Sequence, residues 1–477
     1  MRFLKLSLAA SVALGAFSIT SFAQPLEEAI KGVDVKGYLR YRYTDDRYDN
    51  KDFKKDNVDG SNARHQWRAR ADFKTPTVEA VSVNLGIQYD GANNVNHGKN
   101  DNGWAGNGLG SKEDSDFGVS TFYATITPDS TATTVILGKQ RLDTPLTDSG
   151  DDRATGILAM NSDIPGLTLV AGAFDAWSVD AVTGSSSVAE PLYTLAAIYN
   201  TDTGIGNIGA RVWGFTAKDL VDSAIFTELS WKHSLLYAKL QYGFTQLDDS
   251  EGTIIASRYG RLIPDNANSK ANVAQDNDLL SFQLGANFKE NFGLPLDVKA
   301  GYITNFQDGI AVSFDSEGEF AKAGKLWFDN KATGASYGLG NALGGGLNFG
   351  GVDGYRVAAD QEKEINVFYG SLNYALVDNR LKLGLDAVFG KSELTDKKVA
   401  VNDFTSVKTK FTEITPSVSW RHTKNLIVSA YYAVLNTELD LTKATAVNNN
   451  NVATATQIQD MPDEGRNRAR VEVRYSF

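Results

Sequence analysis

The 477-residue sequence contains no cysteine, only 10 prolines and four histidines. Without cysteine the chain can form no disulfide bond, carry no thiolate nucleophile and hold no cysteine-bound zinc. The histidines are scattered and none belongs to an HExxH zinc motif, so histidine gives no support for a zinc enzyme either. We therefore expect a protein that is not an enzyme and has no resident cofactor.

Basic residues are in the minority, and long apolar runs are missing. Lysine and arginine number 47 against 58 aspartates and glutamates, which gives a formal charge of −11 and no polybasic block. Such a balance argues against binding to nucleic acid. No run of about 18 apolar residues follows residue 23, so we expect no membrane-spanning helix.

The first 23 residues have the pattern of an export signal. Arg2 and Lys5 precede a short apolar run, and the segment ends in Ser21-Phe22-Ala23, with small residues at the two positions that signal peptidase reads. We interpret residues 1–23 as a secretory signal peptide rather than a membrane anchor. Residues 24–477 are then expected to form one domain that works outside the cytoplasm.

Short segments in which apolar and polar residues alternate follow one another along the rest of the chain. Most are close to the roughly 9–11 residues that a tilted strand needs to cross a bilayer. Seventeen segments have this character: 35–44, 63–73, 79–90, 116–128, 133–140, 166–175, 191–200, 206–215, 224–233, 235–246, 279–289, 294–306, 365–376, 380–391, 410–422, 426–439 and 468–477.

Connection lengths indicate how these strands are arranged. Tight joints at 234, 377–379 and 423–425 contrast with long polar stretches at 91–115, 140–165, 247–278, 307–364 and 440–464. Tight turns on one rim and long loops on the other are typical of an antiparallel transmembrane β-barrel, whereas a propeller or sandwich would show a repeat or evenly short turns. Bacterial barrels have even strand numbers, so we expect 16 or 18 strands, with the missing strand in 176–190 or 320–330.

Four stretches resemble the major outer membrane porins of the Campylobacter type: "PLEEAIKGVDVKGYLRYRY" (25–43), "GKQRLDTPLTD" (138–148), "GLTLVAGAFD" (166–175) and "RVEVRYSF" (470–477). The resemblance implies an 18-stranded homotrimeric general-diffusion porin in the outer membrane, among outer-membrane lipid and lipopolysaccharide. The terminal Phe477, preceded by Tyr475 and Val473, resembles the signal by which the barrel-assembly machinery recognises its clients.

Arginines of one parity stand out on the first, second and last strands. If the barrel is closed, the last strand pairs with the first, and the arginines form one inward ladder opposite an apolar parity that faces lipid. The expected basic wall of the pore consists of Arg40, Arg42, Arg64, Arg68, Arg70, Arg468, Arg470 and Arg474. The alternative is that these arginines are merely hydrated and paired with nearby Glu472 and Asp72.

An acidic partner for this wall is expected in the connection 140–165, which the family resemblance places inside the lumen. Its carboxylates are Asp143, Asp148, Asp151 and Asp152. Hard divalent cations prefer several carboxylate oxygens, so Asp148, Asp151 and Asp152 also form a candidate calcium site, although a solvated acidic turn fits the spacing better.

The function expected from these patterns is passive diffusion of ions and small hydrophilic solutes through a charge-separated constriction. The negative charge of the chain suggests a weak preference for cations. Two alternatives remain open: a barrel that acts mainly as an adhesin or structural anchor, and a substrate-specific channel.

Overall fold

The computed structural model describes residues 32–49, 61–95, 117–179, 188–250, 253–255, 271–343, 348–349, 352–353, 357–399 and 404–477. The predicted signal peptide, residues 1–23, and most of the predicted loop 91–115 lie outside the described residues.

Twenty β-strands and a few short helical turns make up the described chain. The helical pieces are α1 (Lys289–Phe292), α2 (Leu339–Leu343) and two 3-10 turns, Trp327–Asp329 and Lys331–Thr333. The strands are β1 (Asp34–Asp49), β2 (Ser61–Lys74), β3 (Val81–Val95), β4 (Phe117–Ile126), β5 (Thr133–Arg141), β6 (Arg153–Asn161), β7 (Leu167–Ser178), β8 (Leu192–Thr203), β9 (Gly206–Ala217), β10 (Val221–His233), β11 (Leu236–Leu247), β12 (Asp276–Asn287), β13 (Leu296–Thr304), β14 (Asn348–Phe349), β15 (Val352–Asp353), β16 (Gln361–Leu376), β17 (Leu381–Asp396), β18 (Phe404–Arg421), β19 (Leu426–Val447) and β20 (Ala453–Ser476).

Eighteen of these strands close into one antiparallel barrel, and this confirms the higher of the two expected strand numbers. Every barrel strand pairs with its neighbours in sequence, β13 pairs with β16, and β20 pairs with β1 from Tyr38 opposite Ser476 to Asp49 opposite Gly465. Closure leaves no free sheet edge, which a strand-rich chain in lipid requires. Among the described residues, no helix is long and apolar enough to span a membrane.

The strand that the sequence analysis missed is β6, and both places predicted for it were wrong. Residues 153–161 lie inside the stretch 140–165 that was taken for one loop, because "RATGILAMN" is short and rich in small residues. The loop between β5 and β6 therefore spans only 142–152. Residues 320–330 belong to the connection between β13 and β16 and contain only a 3-10 turn.

Side chains alternate between lipid and the barrel interior, as the two-residue pattern predicted. On the outward parity large apolar side chains are exposed; Leu195 is 68% exposed, Phe368 58% and Phe389 55%. On the inward parity of the same strands the side chains are buried, for example Val367 and Val388 at 0%. Apolar exposure of this kind is the lipid-facing belt of a barrel.

The two rims differ in loop length. Turns 234–235, 377–380 and 422–425 lie on one rim together with the start of β1 and the end of β20. Long connections lie on the other rim, which faces outward in barrels of this kind. One predicted loop, 440–464, is mostly strand: β19 continues to Val447 and β20 begins at Ala453, so only 448–452 form a turn.

The first part of the connection between β13 and β16, residues 305–343, fills part of the barrel interior. We call these residues the insert. Its aromatic side chains pack on the inward face of the wall: Phe314 contacts Trp177 and Phe215, Phe320 contacts Phe226, and Trp327 stacks on Phe411. An apolar core inside the barrel thus binds the insert to one side of the wall, and the opposite side, built by β20, β1 and β2, stays open.

Candidate functional site

A cavity of about 1700 Å³ lies between the insert and the strands β20, β1 and β2. All eight arginines predicted for the basic wall line this cavity. The register explains their grouping, since Arg40 lies directly opposite Arg68 on β2 and opposite Arg474 on β20. Three neighbouring strands therefore present guanidinium groups at the same height.

Carboxylates on the same strands pair with part of this wall. Arg42 binds Glu472 with an N–O distance of 2.7 Å, and Arg70 binds Asp72 at 3.0 Å. Arg468 donates to Asp46 at 2.7 Å across the β1–β20 seam. The pairing with Glu472 and Asp72 that the sequence offered as an alternative is therefore present, although it does not include every arginine.

Three arginines of the wall have no carboxylate partner within the part of the chain that the structure describes: Arg40, Arg470 and Arg474. The buried Nε–H group of Arg40 donates to no partner there. Arg470 lies 5.4 Å from the ring centroid of Tyr431, and Arg474 lies 4.1 Å from that of Tyr38. A guanidinium does not lose its proton, so their mutual repulsion persists across the physiological pH range.

The acidic loop 142–152 reaches this wall with two of its four predicted carboxylates. Asp151 pairs with Arg68 at 2.5 Å, and Asp148 lines the cavity. Asp152 is fully buried, and its Oδ2 accepts a hydrogen bond from the backbone N–H of Asp148 at 2.7 Å. Asp143 is exposed and does not line the cavity. Asp152 thus shapes the loop, and Asp151 and Asp148 supply its charge.

The structure gives no support to a calcium site at Asp148, Asp151 and Asp152. Among the described residues no group of three acidic or histidine side chains is arranged to hold a metal ion. The three carboxylates have separate partners instead. Asp151 pairs with Arg68, Asp148 accepts a hydrogen bond from the backbone N–H of Gly150 at 2.7 Å, and Asp152 accepts one from the backbone N–H of Asp148.

The insert supplies charges that the sequence analysis missed, because 307–364 was taken for an external loop. Asp315, Glu317 and Asp329 line the cavity, as do Lys322 and Lys325. One signal in the sequence was the stretch "KLWF" (325–328), which places three large apolar residues together in an otherwise polar connection. Such a run is typical of a buried segment rather than of an exposed loop.

A buried carboxylate on the wall holds the insert in place. Glu413 on β18 is fully buried and accepts hydrogen bonds from the backbone N–H groups of Lys325, Leu326 and Trp327 at 2.5, 3.0 and 2.9 Å. Gly324 precedes them with φ +86°, a conformation that glycine adopts without strain and that turns the chain over the carboxylate.

Further contacts fix the insert between Glu319 and Ala321. The Gln241 side chain donates to the carbonyl of Glu319 at 2.9 Å and accepts from the N–H of Ala321 at 2.6 Å. The hydroxyl of Ser281 donates to the carbonyl of Ala321 at 2.9 Å. The insert is therefore held by its backbone as well as by its aromatic side chains.

Lys322 is a group of the cavity whose pKa lies close enough to neutral pH for its charge to change. Burial lowers the pKa of its ammonium to about 8, helped by the charges of Lys325 and Lys299 and opposed by Glu317 and Asp315. Its Nζ donates to the carbonyl of Gly318 at 2.7 Å. Close to neutral pH the cavity can thus lose one positive charge.

A Gly-x-Ser-x-Gly sequence at 334–338 has the form of a serine-hydrolase motif. The structure gives Ser336 a different role, since its side chain is buried and its hydroxyl donates to the carbonyl of Phe328 at 2.5 Å. The segment lies in the insert rather than between a strand and a helix, which is the setting the motif requires.

Comparison with known proteins agrees with this architecture. The family model described as Campylobacter major outer membrane protein matches residues 1–459. No curated protein matches the sequence.

Solved structures share the fold at low sequence identity. Acinetobacter baumannii OccAB1 is 15% identical with a TM-score of 0.55, covering 93% of this chain and 97% of its own. Pseudomonas aeruginosa OccK3 (OpdO) is 13% identical with a TM-score of 0.54, covering 95% and 98%. Pseudomonas aeruginosa OpdK, solved with vanillate, is 14% identical with a TM-score of 0.50, covering 93% and 99%.

Proposed function

Because the chain belongs to the Campylobacter major outer membrane protein family and forms a porin barrel of the outer membrane, we propose that it is a passive channel for ions and small hydrophilic solutes. The observation that carries this proposal is the cavity of about 1700 Å³, across which arginines of the wall face carboxylates of the insert and of loop 142–152. The fold and the family favour a channel over an enzyme.

The mechanism follows from the charges. Fixed charges of opposite sign on two sides of a narrow water-filled passage create a transverse field, which orients polar solutes and lets small ions of either sign pass along opposite walls. The insert narrows the lumen to this passage, and its anchoring by Glu413 keeps the two charged surfaces apart. No energy source is needed, since solutes follow their own gradients.

The sign of the ion preference tests which charges matter. Fourteen basic and nine acidic side chains of the described residues line the cavity, whereas the whole chain carries −11. If the cavity sets the selectivity, anions are favoured; if the outer loops set it, the weak cation preference expected from the sequence holds. Reversal potentials under a salt gradient, measured at low ionic strength where screening is weak, distinguish the two.

The decisive experiment is single-channel recording of the purified protein in planar bilayers. We expect stepwise conductance, and its absence would favour the adhesin or anchor. Neutralising Arg40, Arg42 and Arg70 together should shift the reversal potential toward cations, and neutralising Asp148 and Asp151 should shift it toward anions. If both sets of variants match the wild type, these residues do not form the constriction.

A second candidate is a channel that prefers small organic anions. The observation that favours it is the group of Arg40, Arg470 and Arg474, which has no carboxylate partner among the described residues. One structural neighbour, OpdK, was solved with vanillate, an organic anion. Vanillate should then interrupt the current through the wild type but not through an Arg40→Gln/Arg474→Gln variant, and the uncharged vanillyl alcohol should interrupt neither.

The proposal extends to assembly. We propose a homotrimer in outer-membrane lipid and lipopolysaccharide, inserted by the barrel-assembly machinery through its C-terminal Phe477, as the family resemblance implies. Native mass spectrometry in detergent measures the subunit number, and deletion of Phe477 should lower the amount of assembled barrel in the membrane without changing the amount synthesised.

A further inference from the structure

A groove of about 520 Å³ lies on the outer, lipid-facing surface of β16–β19, separate from the cavity inside the barrel. Its lining includes Lys391 and Lys410, with Phe368 and Phe389 on one side. Thr412, the direct cross-strand partner of Phe389, also lines the groove with its short side chain. All of these residues have the outward parity of their strands.

The two lysines of the groove face each other. Lys391 on β17 is the direct cross-strand partner of Lys410 on β18. Both are exposed, and within the described residues neither takes part in an ion pair. Like charges directly opposite on a sheet repel each other, so an anion between them would be stabilising.

The neighbouring pair on the same strands shows the contrast. Lys408 lies one outward position further from the membrane, opposite Glu393, and the two form an ion pair at 3.1 Å. Glu438 lies opposite Lys410 in register but forms no ion pair with it in the described chain. Within the described residues, neither lysine of the Lys391–Lys410 pair is thus neutralised by an ion pair, although Glu438 lies beside Lys410.

The height of the lysine pair matches the outer headgroup layer. From Leu381 at the short-turn rim to Lys391 the strand rises ten residues, which at about 3.3 Å per residue and a tilt of about 40° is roughly 25 Å along the membrane normal. That is about the height of the apolar belt of a barrel. Phe368 and Phe389 lie one outward position below the lysines, opposite each other, within the belt.

From this arrangement we propose that the groove binds one lipopolysaccharide molecule of the outer leaflet. A phosphate of the lipid lies between the ammonium groups of Lys391 and Lys410, and its acyl chains lie over Phe368 and Phe389. Ammonium groups bind phosphate as point charges, and basic residues next to a membrane recognise anionic headgroups in this way. The carboxylate of Glu438 accepts hydrogen bonds from sugar hydroxyls beside the phosphate.

The test compares lipid binding by the full barrel and by a Lys391→Gln/Lys410→Gln variant. Native mass spectrometry in detergent measures binding of purified lipid A with its phosphates, and of the same lipid A after enzymatic dephosphorylation. We expect the double variant to bind phosphorylated lipid A roughly thirtyfold more weakly, the effect of two basic residues that each face an anionic headgroup. Lys408→Gln, whose lysine is already paired with Glu393, should bind like the wild type.

Three outcomes would overturn the proposal. Equal binding of phosphorylated and dephosphorylated lipid A by the wild type would exclude the phosphate contact. Equal binding by the wild type and the double variant would place the lipid elsewhere. A change of subunit number in the lipid-free double variant would show that the face joins two copies of the chain. Single-channel conductance, which should be unchanged in the double variant, shows that the barrel has folded.

Discussion

Replacing Glu413 by alanine should loosen the insert without unfolding the barrel. The substitution removes the acceptor of three backbone N–H groups, those of Lys325, Leu326 and Trp327. Hydrogen bonds to a charged group contribute roughly 1.5–3 kcal/mol each. If the three contributions add fully, the free energy that holds the insert against β18 falls by about 5–9 kcal/mol, and any relaxation of the insert makes the loss smaller. Against this stand the buried rings of the insert, each worth about 1.5–3 kcal/mol, which remain.

Hydrogen exchange measures this change directly, because the exchanging hydrogens are the ones that Glu413 binds. If only about 3 kcal/mol of the anchoring is lost, the open population rises roughly a hundredfold, and the amides of residues 325–327 should exchange faster by that factor. Amides within β18 should keep their protection. The loosened insert should also add noise to the open-channel current.

Two further variants sharpen the test. Glu413→Gln preserves the shape of the side chain but replaces two charged carboxylate oxygens by one neutral amide oxygen as hydrogen-bond acceptor. The exchange rates of residues 325–327 in this variant should therefore lie between those of the wild type and of Glu413→Ala. Glu290→Ala removes an exposed carboxylate at the short-turn rim and should change nothing. Unchanged protection of residues 325–327 in Glu413→Ala would refute the assigned anchoring role.

Three more predictions concern pH, the barrel seam and assembly. Raising the pH from about 7 to about 9 neutralises Lys322, so the reversal potential should shift toward cations with a midpoint near the pKa of about 8, and Lys322→Met should lack this shift. Asp46→Ala removes the buried carboxylate that Arg466 and Arg468 share across the β1–β20 seam, and should lower the free energy of unfolding by about 3–5 kcal/mol. The barrel should then unfold at a lower temperature in heat-modifiable gel mobility, whereas Asp34→Ala at the exposed start of β1 should leave this temperature unchanged. The purified protein should show β-dominated circular dichroism and heat-modifiable mobility in detergent; a folded water-soluble monomer would contradict the barrel.

Much of the fold could be predicted because lipid imposes a strict two-residue alternation on each strand. Arg40 and Arg42 against Tyr41 and Tyr43 gave the inward and outward faces of β1 directly. Strand β6 escaped because its side chains are small and its flanks are rich in aspartate and glycine, so its pattern resembled that of a loop. The ends of β19 and β20 escaped because these strands continue past the membrane, where alternation no longer distinguishes lipid from water.

The site was less predictable, because its two sides come from distant parts of the chain. Local parity was enough to place the eight arginines on the cavity. The opposite side depends on the insert, whose position is set by long-range contacts such as Glu413 with Trp327. No local pattern indicates that the insert, residues 305–343, turns inward. The apolar stretch around Trp327 was the only hint, since it needs a surface to cover it.

The last two strands, 22 and 24 residues long, reach far beyond the bilayer. Roughly ten residues suffice to cross it, so about 12 remain in each strand, a ribbon about 40 Å long that ends at the turn 448–452. The first half of β20 pairs only with β19 in the described residues, whereas the second half carries Arg468, Arg470 and Arg474 and also pairs with β1, which closes the barrel. Substitutions in the first half of β20 should therefore leave closure of the barrel intact, whereas substitutions in the second half change the wall of the cavity.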